Sequence, residues 1–332
     1  MLNTAIPRWS LKFAVMSAIA LAWAGLGCLN ANAQQAKLFP VKVGTLKQAS
    51  LTDVWVAKQA GIFEKNGLDV ELIEFRTGQE AIAAQRGGHV DIALSIPGVA
   101  LIAIERGFDL VMVSQNETAH AVAPDSGAII VLKDSPITNL SQLAGKKIAI
   151  SGIHTQKTVA IQTILRRAGV EPNMFQFVEI PFASHPDLLK SGQVDAVASL
   201  DPWTTQMQES GLGRVLAWDY VDSLPEQPIG AWFIRSEFSK KNPDVADRFA
   251  RAIHDAIEYM HADEDRARRN VAAYTGLDPS LLKLMPLNNW DYRIKPHVWQ
   301  AMIDMMKNGG ELQRSHKVEE YLSDHVKPYI LK

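Results

Sequence analysis

The sequence predicts a two-lobed α/β protein with mostly parallel sheets and a helical C-terminal part. Strand-like and helix-like segments alternate from Val41 to about Phe233 at the spacing of βαβ units, which sets strands side by side and parallel. One strand unit, Gly88-His89-Val90-Asp91-Ile92-Ala93-Leu94-Ser95, has a counterpart in Gly192-Gln193-Val194-Asp195-Ala196-Val197-Ala198-Ser199, with Gly, Val, Asp and Ser in register. From Asn242 onward the pattern turns helical, and no further strand is expected.

The elements follow in order. A strand at Val41–Gly44 leads through the loop Thr45–Ser50 into a helix near Leu51–Gln59, closed by Gly61. The turn Lys65-Asn66-Gly67 feeds a strand at Leu68–Phe75, and Thr77-x-x-Glu80 reads as a capping box that opens the next helix. Gly87-Gly88 ends that helix. A strand at Val90–Ser95, a helix at Val99–Arg106 and a strand at Leu110–Gln115 come next. Glu117 and His120, after that strand, read as exposed loop positions or as cleft residues. Lys146–Ile150 is the strand of a second unit, whose helix runs from about Thr158 to Ala168. Asn242-Pro243, Asp278-Pro279 and Lys295-Pro296 each supply a cap and first turn for a later helix.

The N-terminus sets the compartment. Arg8 and Lys12 precede an uncharged apolar run from Phe13 to Leu29, and Ala31-Asn32-Ala33 offers the small-x-small pattern of a signal peptidase site. Residues 1–33 therefore read as a secretory signal peptide and the product as periplasmic. Lipid anchoring at Cys28 is not expected, because Gly25 and Leu26 do not fit the usual positions before a lipidated cysteine. Loss of Arg8 and Lys12 with the leader takes the formal net charge from −2 to −4. A mildly acidic surface argues against nucleic acid as a partner. Cys28 is the sole cysteine, so the exported chain has no disulfide framework, cysteine nucleophile or thiolate metal site.

In open parallel sheets ligands bind beyond the carboxyl ends of the strands. Four loops qualify: Gln48-Ala49-Ser50, Ser95-Ile96-Pro97-Gly98, Ser151-Gly152-Ile153-His154-Thr155 and Asp201-Pro202-Trp203. Ser151, His154 and Thr155 offer hydroxyls, an imidazole and the free N–H groups of a helix start, which suit an oxyanion; ordinary N-capping by Ser or Thr explains the same residues. Trp203 could stack on a flat ligand or serve as core, and Asp201 could accept a ligand N–H or cap its own turn. Candidate ligand contacts are thus Gln48, Ser50, Ser95, Ser151, His154, Thr155, Asp201 and Trp203. The chain shows no Gly-x-Ser-x-Gly, His-Glu-x-x-His, Gly-x-Gly-x-x-Gly or phosphate-cradling Gly-Lys pattern. No enzyme, cofactor or metal is expected.

The block Trp55-Val56-Ala57-Lys58-Gln59-Ala60-Gly61-Ile62-Phe63-Glu64-Lys65-Asn66-Gly67-Leu68-Asp69-Val70 resembles the opening of the nitrate/sulfonate/taurine-type periplasmic binding proteins, which are grouped with thiamine-precursor binders. Gly88–Ser95, Leu143–Ala149, Asp201-Pro202-Trp203 and Phe233–Phe238 followed by Asn242-Pro243 are similar to the same family. The resemblance implies a venus-flytrap fold: residues 34–126 with 231–332 as one lobe, and 127–230 as the other. It implies a monomer that captures a small molecule between the lobes and docks transiently on an ABC permease and its ATPase. The expected ligand is an aliphatic sulfonate, taurine or similar small anion, although these loops lack the arginine such a ligand favours. A thiamine-precursor pyrimidine or an aromatic acid is the alternative. A pyrimidine synthase of the same fold fits poorly, since it needs a cysteine-rich motif. A receptor that signals to a membrane sensor is not separable from an importer by sequence.

Overall fold

A computed structural model describes Met1 and residues 37–331; the leader, its cleavage site and Cys28 lie outside the described residues. Phe39–Lys332 forms one unit, and all that follows concerns it. Its strands are β1 (Phe39–Thr45), β2 (Leu68–Glu74), β3 (Ile92–Ser95), β4 (Leu110–Thr118), β5 (Gly127–Leu132), β6 (Lys147–Ile150), β7 (Gln176–Glu179), β8 (Ala196–Leu200), β9 (Gly213–Ala217) and β10 (Pro228–Arg235). Its helices are α1 (Thr52–Gln59), α2 (Ile62–Lys65), α3 (Gly78–Arg86), α4 (Pro97–Glu105), α5 (Gln156–Arg167), α6 (His185–Lys190), α7 (Trp203–Glu209), α8 (Asp219–Ser223), α9 (Ser236–Lys241), α10 (Pro243–His261), α11 (Glu264–Thr275), α12 (Pro279–Leu284) and α13 (Pro296–Asn308).

Two five-stranded sheets result, ordered β2-β1-β3-β10-β4 and β7-β6-β8-β5-β9. Neighbours within each are parallel except at one strand. That strand is β10 in the first sheet and β5 in the second. Each is also the strand that arrives from the other sheet, β5 after β4 and β10 after β9. Both links therefore leave from a carboxyl strand end and arrive at an amino end, on the same edge of both sheets. This is the edge where an open α/β sheet holds its ligand.

The repeated strand unit has a physical cause. Asp91 Oδ2 accepts the Lys42 backbone N–H at 2.9 Å, and Asp195 Oδ2 accepts that of Lys147 at 2.9 Å. Each aspartate thus fixes its strand against the preceding parallel neighbour. Gly88 and Gly192 turn the chain just before at φ 75° and 71°, a region that costs other residues about 1–2 kcal/mol. The residues that match in register include those that turn the chain and pin it.

The C-terminal helices cover the first sheet. Val245, Phe249, Ile253 and Ile257 lie four apart on α10 and are buried. The Phe249 ring stacks on Phe63 at 5.6 Å and meets Trp232 edge-on at 5.4 Å. Each such side chain contributes about 1.5–3 kcal/mol on burial. The expected helices at Pro243, Pro279 and Pro296 are present. The reading had no counterpart for α11, whose buried side is only Ala267, Val271 and Tyr274, too thin a stripe to show as periodicity. A second departure concerns β4, which runs on to Thr118, so Glu117 is a buried strand residue rather than an exposed loop position.

One helix crosses between the lobes. By sequence α5 follows β6 of the second sheet. Its Val159 nonetheless packs among Ala100, Leu101, Met302 and Met306 in the core behind the first sheet. A Cβ at Gly309 would lie 2.8 Å from the Val159 side chain, and one at Gly98 would lie 2.9 Å from Gln156 Cβ, so both positions must stay bare. Gln156 Oε1 accepts the Gly98 N–H at 3.0 Å. Its Nε2 donates to Gln227 Oε1 at 3.0 Å and to the Pro228 carbonyl at 2.7 Å.

Candidate functional site

Five carboxylates, four of them buried, lie at the carboxyl ends of strands and in the two links. Asp53 lies in the first turn of α1, Glu117 near the end of β4, Asp125 in the first link, Asp201 after β8, and Asp219 at the start of α8 in the second link. Asp53, Asp125 and Asp219 are 0–1% exposed and Glu117 is 5% exposed. The loops that form helix starts at the strand ends bring them there, and the antiparallel strands β5 and β10 return the chain to the same edge.

Their partners are few. Asp53 Oδ2 accepts Asn116 Nδ2 at 3.2 Å and Trp232 Nε1 at 3.4 Å. Glu117 accepts Asn288 Nδ2 at 2.7 Å. Asp125 pairs with His120 Nδ1 at 3.0 Å, and Asp219 with Lys157 Nζ at 2.7 Å. Asp201 Oδ1 accepts the Thr205 N–H and hydroxyl at 3.0 and 2.8 Å. Asp53 Oδ1, Asp125 Oδ2, Asp201 Oδ2, Asp219 Oδ1, Ser199 Oγ and Thr204 Oγ1 are buried without a partner. Four are carboxylate oxygens, which only accept when ionised, and two are hydroxyls, which donate as well as accept. An unmet buried polar group costs about 1–3 kcal/mol, so the carboxylate oxygens favour a guest that supplies donors.

Electrostatics agree. Burial pushes Asp53 and Glu117 up to about 7, against the opposing pull of their hydrogen bonds, and Glu117 is raised further by Asp125 and Asp53. Burial lifts Asp201 to about 6. It also raises Asp219, although the Lys157 ammonium pulls the other way. The hydrogen bond to Asp125 raises His120. These are the signatures of carboxylates crowded together at low dielectric.

The residues singled out by sequence fall in different settings. Asp201 and Trp203 adjoin the carboxylate group. Trp203 is half-buried and has Phe182 stacked on it at 5.7 Å. Ser50 contributes its carbonyl, which accepts Asn116 Nδ2 and Trp290 Nε1, each at 2.9 Å. Ser95 is buried, and its hydroxyl donates to the Ile96 carbonyl. Gln48 and Ser151 are exposed. His154 is also exposed, and its Nδ1 meets Glu311 at 3.0 Å. Thr155 caps α5 by accepting the Thr158 N–H. Asp53, Asn116, Asp125, Lys157 and Asp219 were not foreseen. A carboxylate on the apolar side of the opening helix (Leu51-Thr52-Asp53-Val54) and another between aromatics (Trp218-Asp219-Tyr220) were the available signals.

Two other features lie elsewhere on the molecule. Ser239 Oγ lies 2.8 Å from His325 Nε2, and His325 Nδ1 lies 2.7 Å from Asp247. Ser239 is buried inside α9, so this relay ties the C-terminal segment to α9 and α10. An open groove of about 360 Å³ on α11 and α12 is lined by Arg268, Arg269, Leu282 and Lys283. Arg268 is already held by Glu264 and Arg269 by Asp263. Among the described residues no His, Cys, Asp and Glu side chains are grouped to hold a metal ion, and no helix is long and apolar enough to cross a membrane.

Comparison with known proteins gives the lineage. Residues 48–267 match the family model described as NMT1/THI5 like. The putative binding protein YtlA of Bacillus subtilis is 22% identical, over 92% of this chain and 93% of its own. A putative thiamine biosynthesis protein of Haemophilus influenzae is 26% identical, over 80% of this chain and 85% of its own. The periplasmic aliphatic sulphonate binding protein SsuA of Escherichia coli superposes with a TM-score of 0.73 at 19% identity, covering 86% of this chain and 97% of that one. The chain belongs to the NMT1/THI5-like family and has the periplasmic-binding-protein fold.

Proposed function

We propose that the chain is the exported, periplasmic receptor of an ABC importer, and that its ligand is a small flat ring rich in hydrogen-bond donors, an aminopyrimidine of the thiamine-precursor type. The observation that carries this is that Asp53, Asp125, Asp201 and Asp219, all near the links or the carboxyl strand ends, each keep one buried oxygen without a partner. A ring amine and ring N–H groups would satisfy them, while the half-buried Trp203 would stack on the ring. A sulfonate or nitrate needs donors instead, and the buried ammonium of Lys157 is taken by Asp219. The family description and the Haemophilus relative point the same way. Ligand capture would close the lobes about the two links, and the closed monomer would dock on a permease and its ATPase.

Calorimetry and thermal shift with aminopyrimidines, alkanesulfonates, taurine and nitrate test the reading. Aminopyrimidines should bind and stabilise. Asp201→Asn and Trp203→Ala should each weaken binding tenfold or more, about 1.4 kcal/mol. Stabilisation by sulfonates or nitrate alone overturns it.

A further inference from the structure

Besides the two links, helices join the lobes at two places. One is the first turn of α5. All three hydrogen bonds of the buried Gln156 amide leave the second lobe, to Gly98 in α4 and to Gln227 and Pro228 where the second link enters β10. Lys157 Nζ reaches Asp219 on α8 of that link, and a Cβ on Gly127, where β5 begins, would lie 3.0 Å from the same Nζ. Val159 is buried with α4 and α13. Farther along the helix, Ile161, Ile164 and Leu165 are buried in the core of the second sheet. The other place is the contact of α7, in the second lobe, with α12, in the first. Their hydrogen bonds stay within their own lobes: Thr205 and Gln208 bond Asp201 and Thr204, and Arg268 of α11 holds the Leu282 and Met285 carbonyls. The two contacts lie on opposite faces of the first sheet. Trp232 and Ile234 of β10 share a core with Leu282 of α12, whereas Ala231 and Phe233 share the one that takes Val159, as alternate residues of a strand must.

We infer that the first turn of α5 is the fulcrum of the cleft: the second lobe turns about it, and α7 parts from α12 as the cleft opens. Packing decides which contact holds. Parting the α5 seat would expose Val159 and leave the Gln156 amide, the Gly98 N–H and the Pro228 carbonyl without their partners. Parting α7 from α12 breaks none of the bonds just named. A body held on one face of a sheet swings free on the other. The two links bend, but the axis runs through a third point that no covalent bond marks. The inference rests on the closing motion proposed above and is independent of which ligand is captured.

The test is spin-label distance measurement on the leaderless protein without ligand, which has no cysteine of its own to compete for label. Glu209→Cys with Arg269→Cys spans the α7–α12 side from exposed positions, and Ser151→Cys with Asn308→Cys spans the α5 seat. The first pair should give a distance distribution about threefold broader than the second or more, with a population beyond the distance in the structure. Gln156→Ala and Val159→Ala should each broaden the second pair about twofold. If Val159→Ala does not fold, Gln156→Ala decides. A second pair that broadens as much as the first in the unaltered seat, or that broadens alone, overturns the inference and leaves the closing motion standing. A second pair unmoved by Gln156→Ala also overturns it. If neither pair broadens, the lobes do not part, and the inference falls together with the closing motion.

Discussion

Replacing Lys157 with Met removes the ammonium while keeping most of the side-chain volume. The wild-type Nζ lies 2.7 Å from Asp219 Oδ2 and 4.8 Å from the centre of the Tyr220 ring, with the pair 5% and 0% exposed. At that burial bulk solvent cannot take over, and Asp219 Oδ1 already lacks a partner. Breaking a buried pair from one side costs about 3–5 kcal/mol, because the remaining charge is stranded. At about 2–4 °C per kcal/mol for a chain of this size, Tm should fall by about 10 °C. Burial raises the Asp219 pKa, and loss of Lys157 removes the group that opposes this. The folded state then binds a proton that the unfolded state gives up. Stability of the variant should therefore recover as pH falls from neutral toward the ordinary carboxylate range. Urea unfolding at pH 7.5 and pH 5 measures this. The double variant Lys157→Met/Asp219→Leu should regain at least half of the loss. A single variant within about 1 kcal/mol of wild type at pH 7.5, or a double variant less stable than the single, refutes the reasoning.

Two further outcomes are expected. Glu117 titrates near 7 in the fold against 4.5 as its ordinary value. Its raised pKa gives stability that is present at low pH and lost as pH rises through about 7. Relative to Glu117→Gln, wild type should gain denaturant resistance as pH falls from about 8 to about 5. Buried His185 and His254, lowered to about 4 and about 3, act in the opposite sense in both proteins and cancel in the difference. His154→Ala should leave ligand affinity within twofold and change stability by less than about 1 kcal/mol, since its contact with Glu311 is solvent-exposed on the imidazole side. A tenfold loss of affinity would restore it to the site.

The α/β order was legible because strand and helix periods, glycine stops and proline starts are local. The echo at Asp91 and Asp195 was legible too, because both copies solve one local problem, pinning a parallel strand at its start. The carboxylate group was not. Asp53 and Asp219 owe their settings to partners far away in the chain, Trp232 for the one and Lys157 for the other. Read singly, each looks like an ordinary acidic helix start. Glu117 was misplaced for a related reason: its strand is extended by pairing with β10 and by the Asn288–Trp290 segment, neither of which is near it in the chain. Thr155, by contrast, looked like a ligand contact or a cap, and its observed bond is the cap.

The seating of α5 bears on how far either half can be treated as a module. A fragment cut at the two links, residues 127–227, would carry Val159 and Gln156 away from the surfaces that receive them. It would present an apolar side chain and an amide evolved for burial to solvent. The complementary fragment would keep Gly98 and Gly309 facing an empty slot beside Met302 and Met306. Neither piece would be a faithful copy of its half in the intact chain. Recombining halves between relatives should succeed only when the first turn of α5 travels with the helices that hold it.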